Sequence, residues 1–202
     1  FKKKYITNIG EENHSFVSSI VENSGFGFPN PFLIDKKSIQ IGACVRWAGA
    51  SIDPDKNIMY VSADQIPYLY ELKKSTRGKF MYYSLWEPLV DKDGYPGIKP
   101  PWGTLTALNL ISGKKIWQIP LGEYEDLSKK DIKITGTQNR GGATATSGDL
   151  VFVSGTEDKK IRAFNATNGD ELWSHNLSFK GSAPPTIYKI NNTQYIVIPL
   201  YE

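Results

Sequence analysis

Apolar residues along this chain gather into short runs, each closed by a polar turn, with a spacing that suits strands rather than helices. Three hairpins recur. The first runs through residues 47–52, a turn at 53–57 and residues 58–62. The second uses 142–146, a turn at 147–149 and 150–154. The third uses 185–188, a turn around Asn191 and Asn192, and 194–198. In each, a strand rich in small residues precedes one of β-branched and aromatic residues. Consecutive apolar positions in the second strand predict burial on both faces, as in a sheet held between sheets. Residues 1–40 are poorly periodic: 16–21 reads as a strand and 25–31, with its glycines and prolines, as a loop. No helical pattern is evident beyond a turn at 124–130.

A second repeat interleaves with the first. Ala107, Asn109, Ser112, Gly113 and Trp117 have the same spacing as Ala163, Asn165, Asn168, Gly169 and Trp173. Asn and Gly make a tight turn, Gly being free to take positive φ. The chain then returns with a tryptophan that can cover the small alanine and pack between neighbouring sheets. Both Trp117 and Trp173 are therefore expected to lock one sheet to the next. Hairpin plus returning pair makes four antiparallel strands, one blade of a β-propeller. The fold class that follows is all-β, a propeller segment of about two and a half blades. One blade spans 42–119, with a proline- and glycine-rich insert at 66–101 expected to be a long rim loop. A second spans 142–176 and a half blade 184–199, with 1–41 a preceding blade remnant or loop.

The chain of 202 residues carries a formal charge of +3 with its lysines and arginines scattered, which argues against a nucleic-acid surface. Its one cysteine, Cys44, builds neither a disulfide framework nor a thiolate metal site and reads as a small buried apolar residue. No apolar run is long enough to span a membrane as a helix. His14 and His175 lack partners at ligand spacing. Asp91-Lys-Asp93-Gly94 hints at a calcium loop, but Tyr95 and Trp102 fall where oxygen ligands belong, so a turn is expected. The chain begins at Phe1 and stops at Glu202 just after an apolar run, which reads as a processed chain or a fragment.

Pro100-Pro-Trp-Gly-Thr-Leu-Thr-Ala107, Trp117-Gln-Ile-Pro-Leu-Gly122, Gly136-Thr-Gln-Asn139, Gly141-Gly142, Asp158, Arg162-Ala-Phe164, Gly181-Ser-Ala-Pro184 and Gln194-Tyr-Ile-Val197 stand in one order. That order resembles the C-terminal part of the pyrroloquinoline-quinone (PQQ) dehydrogenases, in the branch of the membrane-bound glucose and polyol enzymes. The resemblance implies an eight-bladed propeller in the periplasm, with PQQ and a divalent cation (Ca or Mg) on its axis. Attachment to the membrane would come through a part outside this chain. It implies a sugar or polyol substrate and a quinone electron acceptor. The cofactor-binding candidates it implies are Trp47, the glycine pair Gly141 and Gly142, and Asp158. Asp158 is equally readable as a turn residue that Asn could replace at little cost to folding. Arg46 and Arg140 depart from the pattern, and an arginine fork suits the carboxylates of PQQ. The residues that the resemblance credits with catalysis and metal ligation belong to earlier blades, so no catalytic or metal residue is assigned and no activity is expected of this chain alone. Self-association through uncovered blade faces is expected. The alternative of another class is a non-catalytic propeller scaffold for protein interaction.

Overall fold

The computed structural model describes residues 3–24, 37–74, 82–132 and 135–202. In chain order the elements are helix α1 (Glu11–Asn23), strands β1 (Lys37–Asp53), β2 (Ile58–Lys74), β3 (Tyr82–Pro88), β4 (Gly103–Asn109) and β5 (Lys115–Pro120), and helix α2 (Glu125–Lys129). Strands β6 (Ala143–Ala145), β7 (Leu150–Val153), β8 (Lys160–Asn165), β9 (Glu171–Asn176), β10 (Lys180–Gly181), β11 (Thr186–Ile190), β12 (Thr193–Val197) and β13 (Leu200–Tyr201) follow. The chain divides into two compact units, residues 1–43 with 65–100 and residues 44–64 with 101–202. Residues 25–31, expected to be loop, and the side chains of Cys44, Arg46 and Trp47 lie outside the described residues.

The second unit holds the repeats. Strands β6, β7, β8 and β9 form a four-stranded sheet in sequential order, every neighbouring pair antiparallel. Before it, β2 pairs with β4 over 58–64, and β4 pairs with β5. After it, β11 and β12 form a hairpin whose turn residues Asn191 and Asn192 take φ of 47° and 67°, as a tight two-residue turn needs. Period-two alternation sorts the apolar residues of β7 between two cores. Val151 and Val153 pack with Tyr60, Leu105 and Ala107 of the preceding sheet, whereas Phe152 packs with Ile161, Ile187 and Ile196.

The two turn repeats fold alike. Asn109 Oδ1 accepts the N–H groups of Ile111 and Ser112, and Asn165 Oδ1 that of Thr167. A register shift after Ala107 and Ala163 places Trp117 across from Ala107 and Trp173 across from Ala163. Beyond that the copies differ. Trp117 Nε1 donates to the Ala166 carbonyl at 3.0 Å, and Tyr60 Oη donates to the same oxygen at 3.3 Å. A Cβ on Gly169 would stand 2.9 Å from Trp117 Cε3, so glycine is required there for space as well as for its φ of 81°. The first tryptophan thus sits on the turn of the second repeat. Trp173 is 48% exposed and stacked on His175, and among the described residues no turn receives it as that of Ala166 receives Trp117. The sequence carries two copies of the turn, and only the second has a tryptophan ahead of it to receive.

The first unit departs from expectation in two places. Residues 16–21 belong to helix α1, not a strand. Asn13, Val17 and Val21 are its buried residues, one helical turn apart, and Glu11 and Glu12 stand at the end where the helix dipole favours acids. The β-branched residues suggested a strand, but the four-residue spacing decides. The insert at 66–101 is not simply a loop. Strand β2 continues to Lys74 and pairs with β3 over 68–74. Pro67 lies just where the partner of β2 changes, so its missing N–H costs no ladder bond. Ile6, Val17, Val21, Ile39, Leu69 and Leu89 make the core of this unit.

Asp91 forms the expected turn. Its Oδ1 accepts the N–H groups of Asp93 and Tyr95, while Oδ2 is buried without a hydrogen-bond partner among the described residues. Burial pushes this carboxyl up, by more than the N–H groups of Tyr95 and Asp93 pull it down. Two predictions follow from these packings. Trp117→Ala costs about 3 kcal/mol in urea melts and Trp173→Ala under about 1 kcal/mol, because only the first is packed against a neighbour. With a raised folded-state pKa, Asp91 contributes stability that is complete below its unfolded value and lost as pH rises through the folded one. Asp91→Asn therefore raises the urea midpoint at pH 7 more than at pH 4; equal effects at both would show that folding leaves the proton affinity of Asp91 unchanged.

Candidate functional site

The connection between β5 and β6 closes one end of the sheets in the second unit. It starts on apolar anchors: Leu121 and Leu127 are buried, and Trp102 meets Tyr124 edge-on at 5.5 Å. Helix α2 is the turn expected at 124–130. From Thr135 the chain becomes a polar strap, with Thr135, Thr137 and Asn139 fully buried. Backbone bonds hold it on both sides: Trp102 N–H to the Thr135 carbonyl, Thr137 N–H to Leu121, and Arg140 N–H to Gly155. Side chains add to these. Asn139 N–H donates to Asp64 Oδ2, Asn139 Nδ2 to the Ser154 carbonyl, and Ser62 Oγ to that of Gly141. Asn139 Oδ1 and Thr135 Oγ1 are buried with no partner among the described residues.

The strap ends at the glycine pair. A Cβ on Gly141 would collide with the Ser154 carbonyl, and one on Gly142 would press on Pro184 and Ala48. Both glycines are therefore needed for backbone-to-backbone packing of the inner strands. Thr144 Oγ1 donates to Pro185 O, and Ala145 N–H donates to Ser51 Oγ, so β6 lies between β1 and β11. Trp47 directly precedes Ala48 in β1, which brings it, Gly141 and Gly142 to one place in the backbone.

Asp158 sits in a different cluster, in the connection from β7 to β8. It sits in a turn, as one sequence reading had it, with Oδ1 accepting the Lys160 N–H, and it is also half of a buried ion pair: its side chain is 7% exposed and that of Arg162 is 5% exposed. Arg162 Nη1 and Nη2 donate to the two carboxylate oxygens, Thr156 Oγ1 donates to Oδ1, and the Glu123 N–H donates to Oδ2. Arg162 Nε also reaches Glu171. Burial alone would push the Asp158 carboxyl up, but the Arg162 guanidinium and the Thr156 hydroxyl outweigh it and hold the group below its ordinary value. Arg162 carried a signal in the sequence, a charge set between the apolar Ile161 and Ala163. A cavity of about 740 Å3 lies beside this cluster, between residues 123–125 and 157–160. Its acids are matched: Glu123 by Lys160 at 2.5 Å, Glu157 by Lys180, Glu125 by Lys129.

Arg140 is arranged differently. It is exposed, and its guanidinium lies 5.6 Å from the centroid of the Tyr201 ring, with no ion pair to an acid among the described residues. The sequence offered no sign of Tyr201, which only the pairing of β13 with β10 positions.

Removing the Asp158 charge strands a buried guanidinium. Asp158→Asn is expected to cost about 3–5 kcal/mol, and Asp158→Leu combined with Arg162→Met to recover part of it. A carboxylate with a lowered folded-state pKa adds stability present above its unfolded value and lost as pH falls through the folded one. The wild-type protein therefore loses stability on acidification in that window, and the variant loses less. An unchanged urea midpoint for Asp158→Asn at pH 7 would make the ion pair dispensable.

The glucose/ethanol/alcohol dehydrogenase β-propeller domain of PQQ proteins matches residues 37–196. The quinoprotein glucose dehydrogenase of Escherichia coli is 26% identical over 180 residues, covering 76% of this chain and 23% of that protein. The quinate/shikimate dehydrogenase (quinone) of Acinetobacter baylyi is 39% identical over 112 residues, covering 52% of this chain and 14% of that protein. The chain thus spans less than a quarter of the length of these relatives. The crystal structure of quinohemoprotein alcohol dehydrogenase from Comamonas testosteroni superposes with a TM-score of 0.54 at 19% identity, over 77% of this chain and 22% of that one. With the four-stranded antiparallel sheet, the Trp117 seat and a match over most of its length, this chain belongs to the PQQ-dependent dehydrogenase β-propeller family.

Proposed function

We propose that this chain supplies part of the propeller of a PQQ-dependent dehydrogenase that oxidises an alcohol carbon of a sugar or polyol and passes the electrons to a quinone. The observation that carries the reading is the family match over 37–196, which includes the whole strap from Thr135 to Gly142. Bound PQQ would accept two electrons from the substrate carbon. The residues fit such a cofactor in one respect. PQQ bears carboxylates, and Arg140 offers N–H donors beside the glycine pair with no acid bound to them among the described residues. The glycines and Asp158 are occupied in packing and in the ion cluster, so their contribution to cofactor binding is to keep the strap and the inner strands in place. No group of three or more His, Cys, Asp or Glu among the described residues is arranged to hold a metal ion, and the resemblance assigns the ligands of the divalent cation to earlier blades.

The substrate class follows the relatives: polyols, sugars, or a ring polyol acid of the quinate type. We place this activity in the periplasm, as for the resemblance from which the expectation comes. Titration of the protein with PQQ, followed by calorimetry and by quinone absorbance, tests the reading. Saturable binding tighter than about 1 mM is expected, corresponding to about 4 kcal/mol; no heat and no spectral change up to that concentration would remove the cofactor from this chain.

A further inference from the structure

The four arginines of the chain are Arg46, Arg77, Arg140 and Arg162, and the structure describes the side chains of the last two. They are used in opposite ways. Arg162 is buried and its N–H groups are taken by Asp158, Thr156 and Glu171. Arg140 is exposed, and its guanidinium lies over the Tyr201 ring, 5.6 Å from the centroid. A contact of a guanidinium with a ring pairs none of its N–H donors with an acid, and among the described residues Arg140 makes no ion pair. Its backbone is not free to drift. The Arg140 N–H donates to the Gly155 carbonyl at 3.0 Å, Asn139 before it is fully buried, and Gly141 after it is wedged against Ser154. Tyr201 is itself placed by the pairing of β13 with β10, Tyr201 across from Lys180. A rigid stem, a ring beside the guanidinium and a fork of donors with no acid on it among the described residues are the parts of a receptor for a planar anion.

We propose that Arg140, backed by Tyr201, is a carboxylate-binding residue that takes its ligand edge-on at the foot of the inner strands. Two sources share this chemistry, a carboxylate of PQQ and the carboxylate of a ring polyol acid substrate. The choice between them rests on the functional reading above, but the presence of a carboxylate site does not. A site of this kind would favour acidic over neutral polyols, because a neutral substrate leaves the fork unpaired.

Titration calorimetry of the wild-type protein, Arg140→Gln, Arg140→Lys and Tyr201→Leu tests it, with PQQ and quinate as separate probes and the neutral polyol inositol as control. Far-ultraviolet circular dichroism and urea midpoints are expected to match across the set, since neither side chain is buried in a core. Quinate or PQQ is expected to bind wild type, to lose at least tenfold in affinity in Arg140→Gln, and to lose less in Tyr201→Leu. Arg140→Lys keeps the charge but not the fork and is expected to fall between wild type and Arg140→Gln. Loss for PQQ alone assigns the site to the cofactor, and loss for quinate alone assigns it to the substrate. PQQ binding that is equal in wild type and Arg140→Gln, with no Arg140-dependent quinate binding, overturns this inference while leaving the functional reading intact. Arg140-dependent quinate binding without any PQQ binding does the reverse. Binding of neither probe to wild type overturns both.

Discussion

The carbonyl oxygen of Ala166 is the point on which the second unit turns. It accepts from the indole of Trp117 and from the hydroxyl of Tyr60, two side chains of the preceding sheet. Neither donor would be satisfied in that interface without it, and an unpaired buried donor costs more than a bond gains. The same turn must bring Gly169 under the indole, where no Cβ fits. Spacing between Asn, Gly and Trp in the repeat therefore serves two sheets at once: it shapes the turn of its own sheet and presents an acceptor to the tryptophan of the one before. The apolar contacts of Leu105, Ala107, Val151 and Val153 fill the space this junction defines.

A second, electrostatic junction holds the other end. Asp158, Arg162, Thr156 and the Glu123 N–H join the connection between β5 and β6 to that between β7 and β8. Pairs of this kind contribute little net stability over an apolar replacement, but breaking one half is costly, so they enforce one arrangement of loops. Here the arrangement is that of the strap from Thr135 to Gly142, whose Thr137 Oγ1 also accepts the Glu157 N–H. The acids along the neighbouring cavity are spent on lysines in the same way. On the strap itself Arg140 has no ion pair to an acid among the described residues, so its charge is available to a ligand there.

Much of this was legible in the chain. Period-two apolar runs and polar turns specify strands, and the repeated Ala, Asn, Gly and Trp specify antiparallel sheets stacked in series, because each constraint is local or recurs at fixed spacing. The helix at 11–23 was readable too, had spacing been weighed above β-branching: Val17 and Val21 lie one turn apart.

What the sequence did not determine is which of two chemically equal residues meets a partner. Trp117 and Trp173 have the same local context, yet among the described residues one is seated on Ala166 and the other is exposed, since burial depends on segments remote in sequence. Asp158 read as a turn residue or a ligand; it is in a turn, and it is also half of a buried ion pair because Arg162 points inward from β8 to meet it. Gly141 and Gly142 read as a place where backbone comes close, and only the packed inner strands show that the neighbour is Ser154, Ala48 and Pro184. Arg140 and Tyr201, remote in sequence, are neighbours because β13 closes back on β10. Residue type and spacing fix what a side chain can do; the tertiary structure settles what it faces, because side-chain bonds and burial come from segments that the local sequence does not specify.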